Sequence, residues 1–404
     1  MLALAALLIF CIVQEKNFQE GPVYDYERYY GRVIINKSEV ENLPGDDLSL
    51  YASASVAIDY RDGHILYGDE ENIQLPMAST TKILTAIIAL ENASGDEIVT
   101  ISKNAANSPK VRLGVKEGEQ YYLKDLLLSM MLGSHNDSAV AIAEHLAGST
   151  EAFSKMMNEK AHELGVKNSS FVTPNGLDAE NHYSTAYDMA VIGSYAIQND
   201  EFVKLINTSQ HSFSEINNKS SHNVTNINSY LSIDDTAIGI KTGFTGKAGY
   251  CFVGANTYED TIVVSCVLAC GWPPDKNYKW NDMKSLMNMV RENYYDISVE
   301  FPEYTLDLPV TTETNRSIIV NGFNLNILHS EDESVTQVIC VKPYQKEYET
   351  ATDNNAIGNS DMSQIDFFLK QSKNEGVKIG NYEVEEYLYY GNVKRVINNE
   401  IRIN

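Results

Sequence analysis

The sequence predicts an α+β protein built on an antiparallel sheet, and three observations carry that expectation. Two stretches with period-two alternation, "SASVAIDYRDGHILYGDEEN" and "AIGIKTGFTGKAGYCFVGANTYEDTIVVSCVLACG", lie far apart in the chain. Between them, residues 100–215 run mostly at helical spacing. The strands of each alternating stretch are joined by short Gly-marked turns, not by crossover helices, which excludes a doubly wound parallel sheet. The reading is therefore a sheet with flanking helices and a helical insertion, followed beyond residue 299 by a small β-rich domain.

Each element has its own justification. "MLALAALLIFCIV", residues 1–13, has the length of a signal-peptide core and is short for a membrane span, so it reads as an export segment, with an uncleaved anchor as the alternative. Residues 14–48 are polar and Tyr-rich without periodicity and read as a spacer. The catalytic-domain candidate spans 49–298 and opens with a hairpin turning at Asp62-Gly63. "STTKILTAIIALENA" follows as a helix whose Ile83, Leu84, Ala86, Ile87 and Leu90 form a broad apolar face. "YYLKDLLLSMMLG", "DSAVAIAEHLAG", "STEAFSKMMNEKAHELG" and "AYDMAVIGSYAI" continue the helical pattern, several ending at Gly. Two or three strands occupy 237–271, and "WNDMKSLMNMVRENYY" reads as the last helix. From 299 to 404 the pieces are short and strand-like, interrupted by a polar stretch, "QKEYETATDNNAIGNSDMSQ", that reads as an exposed loop.

The chain of 404 residues carries 31 Lys+Arg against 55 Asp+Glu, a net charge of −24. Such a surface repels a phosphate backbone and is not drawn to anionic headgroups, so nucleic acid is excluded as a partner, and contact with a membrane rests on the N-terminal apolar run alone. The five cysteines form no C-x-x-C pair, and Cys251, Cys266 and Cys270 lie in apolar strand sequence as small buried thiols.

Chemistry concentrates at three words. Ser79-Thr80-Thr81-Lys82 is the one Ser-x-x-Lys in the chain, and its i, i+3 spacing stacks hydroxyl and amine on one helix face. The bland alternative makes Ser79 a helix cap and Lys82 a solvated residue. A lysine in the first turn, however, opposes the helix dipole and here adjoins an apolar segment. Lysine acts as a base only when neutral, which requires burial and a second cation to lower its pKa. Lys241-Thr242-Gly243, a single Lys-Thr-Gly on a strand, supplies that cation; two glycines beside the threonine also leave room for another chain to pair alongside. Ser-x-Asn occurs four times, but only Ser134-His135-Asn136 sits in a tight loop between two apolar helices.

In that order the three words resemble the active-site motifs of penicillin-binding proteins and serine β-lactamases. The longer words "PMASTTKILTA", "LGSHNDSAVAIAEHLAGS", "FVTPNGLDAENHYSTAYDMA" and "GIKTGFTGKAGYCFVGA" resemble the low-molecular-mass D-alanyl-D-alanine carboxypeptidases of peptidase family S11, over residues 50–296. The resemblance implies a β-lactamase/D,D-peptidase-like domain that needs neither metal nor cofactor. Its partner would be the D-Ala-D-Ala terminus of a peptidoglycan stem peptide, with β-lactams as covalent inhibitors and an exported location outside the cytoplasmic membrane. It implies Ser79 as nucleophile and Lys82 as its base. Ser134 and Lys241 continue the proton path, Asn136 holds the acyl-side amide, and Lys241, Thr242, Gly243 and Phe244 line the substrate edge. The N–H groups of Ser79 and Phe244 would form the oxyanion hole.

Three departures from the family pattern stand out. His135 replaces a small residue, "VTNINSYL" lacks an arginine that some members carry, and "RVINNEIRIN" is no basic amphipathic helix of the kind that tethers other members. His182 and Asp188 could complete a triad with Ser79, but a lysine base makes a histidine superfluous, so both read as scaffold. A β-lactamase is the first competing reading, although no Glu-x-x-Leu-Asn is present. A catalytically silent sensor is the second, although it would not need all five polar residues.

Overall fold

The computed structural model describes residues 29–34, 48–301 and, beyond them, 304–309, 315–320, 323–330, 335–343, 377–379, 382–390, 393–396 and 401–403. The chain divides into two compact units, one of residues 42–296 and one combining 1–41 with 297–404.

The first unit is organised by a five-stranded antiparallel sheet: β1 (Ala54–Asp59), β2 (Ile65–Asp69), β3 (Ala237–Thr245), β4 (Gly249–Tyr258) and β5 (Thr261–Leu268), in spatial order β2-β1-β5-β4-β3. The Asp62-Gly63 turn is as expected: Gly63 takes φ 75°, and the Asp62 carboxylate accepts the His64 N–H at 3.0 Å. Between β2 and β3 comes the helical insertion, α1 (Lys82–Asn92), α2 (Leu123–Leu132), α3 (Asn136–Ala147), α4 (Thr150–Glu163), α5 (Ala186–Ala196) and α6 (Asp200–Asn207); α7 (Tyr278–Asn293) follows β5.

Alternation along β4 assigns the two faces. A Cβ on Gly193 of α5 would come within 2.9 Å of Val253 and 3.2 Å of Val264, whereas one on Gly254 would meet Met283 of α7 at 2.7 Å. Val253 and Gly254 point to opposite sides of a pleated strand, so α5 covers one face and α7 the other. Below α7, Phe252 lies between Tyr230 and Trp280, with ring centroids at 5.4 and 5.0 Å. Helix α1 is buried along Lys82–Ala89 and packs against α2, α3, α4, α5 and α6, which makes it the axis of the insertion. Strand β3 ends the sheet, and among the described residues its outer edge has no neighbouring strand.

Two local expectations change. Tyr29–Ile34, within the stretch read as a spacer, forms a strand paired antiparallel with Val335–Pro343 in the second unit. Its sequence, Tyr-Tyr-Gly-Arg-Val-Ile, is too short to display a period, and pairing with a distant strand decides its state. Residues 210–225, partly read as helical, form a hairpin of Gln210–Ser214 with Ser221–Thr225. The described residues of the second unit otherwise form mainly short antiparallel strands, including Val335–Pro343 with Tyr382–Tyr390 and Tyr304–Pro309 with Asn315–Val320. The N-terminal apolar run and the polar stretch at 345–364 lie outside the described residues. Among the described residues no helix is long and apolar enough to cross a membrane, and no group of His, Cys, Asp or Glu is placed to hold a metal.

Phe252 is fully buried between two rings. Phe252→Ala should therefore cost about 3–5 kcal/mol in unfolding free energy, read as a lowered urea midpoint with unchanged slope.

Candidate active site

Ser79 is the second residue of a single 3-10 turn, Ala78–Thr81, that runs directly into α1 at Lys82. The capping reading fails here: Thr81 occupies the N-cap of α1, and no side chain caps it. The turn is held instead by Thr80 Oγ1 donating to Met77 O at 2.6 Å and Thr81 Oγ1 donating to Ala78 O at 2.8 Å. Spacing i, i+3 folds Lys82 back over the turn, with Nζ 2.7 Å from Ser79 Oγ.

Lys82 is 0% exposed, so the solvated reading fails as well. Its Nζ also lies 2.9 Å from Asn136 Oδ1 and 2.6 Å from the backbone carbonyl of Asn175. Both of these oxygens can only accept. A neutral amine gives its two N–H groups to them, which leaves the lone pair facing the one partner able to donate, the Ser79 hydroxyl. Burial, and then the charge of Lys241, hold the Lys82 pKa well below its ordinary range, while Asp137 pulls the other way.

The Ser134–Asn136 loop joins α2 to α3, and Asn136 is the first residue of α3. Asn136 is fixed from both ends: its N–H donates to Val111 O at 2.7 Å and its Nδ2 to Pro109 O at 3.2 Å. Asp137 completes the clamp. Its buried carboxylate accepts the backbone N–H groups of Leu113 and Gly114 at 2.9 and 2.7 Å, so neighbouring residues hold both ends of the 109–114 segment. Ser134 is buried with φ 59°.

Lys241 is buried on β3 with its amine donating to Thr242 O at 3.0 Å; burial lowers its pKa to about 7. Gly243 explains how this strand reaches the turn, since a Cβ there would sit 2.9 Å from Ser79 N and 3.1 Å from Met77 O. Gly176, with φ 79°, closes the opposite side: a Cβ would fall 1.9 Å from Ala78 O. Positive φ also occurs at Ala78 (48°) and Ile240 (111°), each immediately before a site residue. With Ser134 this makes three non-glycine residues in sparsely populated conformations around one site, at about 1–3 kcal/mol each.

Sequence reasoning missed Asn175 and Asp137. Asn175 acts through a backbone carbonyl, and the only available signal was the turn-forming Asn-Gly in "TPNGLD". His135 has Nδ1 2.8 Å from Ser129 Oγ and its ring packed where a Gly133 Cβ would stand. Burial, with the charges of Lys82, Lys241 and His222, lowers its pKa. His182 is scaffold, as expected. Its Nδ1 accepts the Val172 N–H at 3.0 Å, its Nε2 lies 3.1 Å from Thr81 Oγ1, and burial lowers its pKa to about 4. Asp188 accepts from Ser169 Oγ at 2.7 Å instead. Of the other Ser-x-Asn words, Ser102 caps the short helix Lys103–Ala106 and Ser221–Asn223 lies on a strand.

A hydroxyl, a buried amine directed at it and a second buried amine on an edge strand are an arrangement suited to acyl transfer by a serine with a lysine base. The D-alanyl-D-alanine carboxypeptidase model of peptidase family S11 matches residues 40–271, and the chain belongs to that family. It is 28% identical over 357 residues to the D-alanyl-D-alanine carboxypeptidase DacF of Bacillus subtilis (strain 168), covering 82% of this chain and 92% of the relative. With DacC of Escherichia coli (strain K12) it shares 33% identity over 232 residues, 54% of this chain and 57% of the relative. The fold is similar to the crystal structure of a D-alanyl-D-alanine carboxypeptidase from Mycobacterium tuberculosis H37Rv, with TM-score 0.55 and 27% identity over 64% of this chain and 95% of that one. It is likewise similar to the Streptomyces K15 DD-transpeptidase, with TM-score 0.55 and 29% identity over 60% of this chain and 97% of that one.

Two expectations follow. Gly176→Ala must displace the Ala78–Ser79 peptide by more than an ångström, so covalent acylation of Ser79 by benzylpenicillin should slow about 100-fold, measured by intact mass against time. The pH dependence of kcat/KM should be bell-shaped. It rises as Lys82 loses its proton, below the ordinary lysine range, and falls as Lys241 loses its own near about 7. Asp137→Asn removes a negative charge that favours the Lys82 ammonium, so the acid limb should move to lower pH.

Proposed function

We propose that this enzyme is an exported serine D-alanyl-D-alanine carboxypeptidase that removes the terminal D-alanine from peptidoglycan stem peptides ending in D-Ala-D-Ala. The observation that carries the reading is the fully buried Lys82 amine, 2.7 Å from Ser79 Oγ and directed by two carbonyl acceptors. The family assignment, and the relatives and solved structures that bear the carboxypeptidase name, support the substrate class.

On this reading neutral Lys82 takes the Ser79 proton as Oγ attacks the carbonyl carbon of the penultimate D-alanine. The Ser79 and Phe244 N–H groups stabilise the resulting oxyanion, the kind of preorganised donor whose loss costs about 10²–10³ in kcat. Protonated Lys82 passes its proton by way of Ser134 to the departing D-alanine amine, and collapse leaves an ester on Ser79. Water then cleaves that ester, with Lys82 again accepting a proton. Asn136 has a second task, holding the acyl-side amide, and Lys241 with Thr242 receives the terminal carboxylate. A β-lactam carbonyl enters the same path and stops at the ester.

Wild-type protein should gain one penicillin mass at Ser79 and release D-alanine from diacetyl-L-lysyl-D-alanyl-D-alanine. Ser79→Ala should do neither. Peptide cleavage retained by the variant overturns the mechanism, and rapid nitrocefin turnover without peptide cleavage replaces it with a β-lactamase.

A further inference from the structure

Ser134, which the proposed mechanism uses to hand a proton to the departing amine, stands at a difficult point of the backbone. It is buried at φ 59°, a conformation that a non-glycine residue keeps only where its surroundings enforce it. The enforcement comes from both sides. The Gly133 N–H, just before it, donates to Ser129 O at 3.1 Å, and His135 Nδ1, just after it, lies 2.8 Å from Ser129 Oγ. One residue in the last turn of α2 therefore holds both flanks of Ser134. Ser129 Oγ also lies 2.8 Å from Ser138 Oγ in the first turn of α3, and both serines are fully buried. Because the hydroxyls can turn, this chain closes whether Nδ1 accepts or donates.

The same bracket accounts for a glycine. Gly133 has φ −92° and ψ −6°, angles open to any residue, so its backbone does not require glycine. A Cβ there, however, would fall within 2.8 Å of three atoms of the His135 ring. Position 133 must lack a side chain so that the imidazole can lie over the turn and reach Ser129. Asn136, next in the chain, is held separately, at Val111 O and Pro109 O. The bracket thus bears on Ser134, while an acceptor of the Lys82 amine is fixed by other means.

We propose that His135 is a positioning residue for Ser134, acting through Nδ1 and Ser129, and that its effect falls on departure of the leaving group. The inference rests on the carboxypeptidase reading and on the role that reading gives Ser134. As the C–N bond breaks, Ser134 Oγ gives its proton to the amide nitrogen and takes one from the Lys82 ammonium. Such a relay tolerates little displacement of Oγ. A thiolate leaving a thioester takes only the electron pair of the C–S bond. It needs no proton, so its departure is independent of the bracket.

The test measures kcat/KM for Nα,Nε-diacetyl-L-lysyl-D-Ala-D-Ala and for the thioester Nα,Nε-diacetyl-L-lysyl-D-alanyl-thioglycolate, which carry the same acyl group. His135→Ala should lose about tenfold on the peptide and less than about twofold on the thioester, whose turnover also reports that the variant is folded. In His135→Asn the amide stands where Nδ1 stood and should restore the peptide rate. In His135→Gln it reaches the Nε2 position instead and should not. Ser129→Ala should reproduce His135→Ala, and the two combined should cost no more than either alone. An unchanged peptide rate in His135→Ala, a loss shared equally by both substrates, or rescue by His135→Gln as complete as by His135→Asn overturns the proposal and leaves the carboxypeptidase reading standing. Wild-type protein that releases no D-alanine overturns that reading itself.

Discussion

Everything in the first unit turns on keeping one amine, that of Lys82, out of water. An isolated ammonium in an apolar interior carries a desolvation penalty of several kcal/mol, so a lysine that is 0% exposed on the central helix either loses its proton or finds acceptors. Here it does both. Two carbonyl oxygens, of Asn136 and Asn175, accept from it in either charge state, so on the proposed roles the side chain need not move when the Ser79 proton arrives. Those acceptors come from α3 and from the 173–178 segment, which obliges two distant stretches of chain to converge on the start of α1. The helical insertion exists in the form that satisfies this amine.

Convergence of backbones at that point leaves no room for side chains. Gly243 and Gly176 press on the Ala78–Ser79 peptide from opposite sides, at distances no Cβ tolerates. Strain collects in the same place, at Ala78, Ser134 and Ile240, each with positive φ and none of them glycine. Such conformations persist only where the surroundings over-determine them. The rigid part is α1, enclosed by five helices, together with His182, which ties Thr81 to the 172 segment through both ring nitrogens.

The α+β class, the Asp62-Gly63 hairpin and the Ser79–Lys82 contact were legible because each leaves a local signal, such as a period, a turn dipeptide or a spacing. Ser79 and Lys82 are three apart, and helix geometry alone predicts their contact. Asn175 was not legible because its contribution is a backbone carbonyl, which every residue has. Asp137 hides behind its neighbour Asn136: nothing local shows that its carboxylate receives the N–H groups of Leu113 and Gly114. The strand Tyr29–Ile34 was missed for a related reason, since its partner lies about three hundred residues away and six residues carry no period of their own.

The two lysines also divide one task. Burial lowers the Lys241 pKa to about 7, and a charge on Lys241 makes Lys82 harder to protonate. On the proposed roles, an arriving carboxylate favours the ammonium on Lys241. The carboxylate brings its own negative charge to the same place, so the ion pair adds little net charge near Lys82, and burial, the largest influence on the Lys82 pKa, is what acts on the base in the bound site as in the free one. A substrate lacking the carboxylate therefore loses a binding contact and leaves the base as it was, so the discrimination falls on binding, through the amine at the edge strand, and the helix that carries Lys82 is spared any part in it.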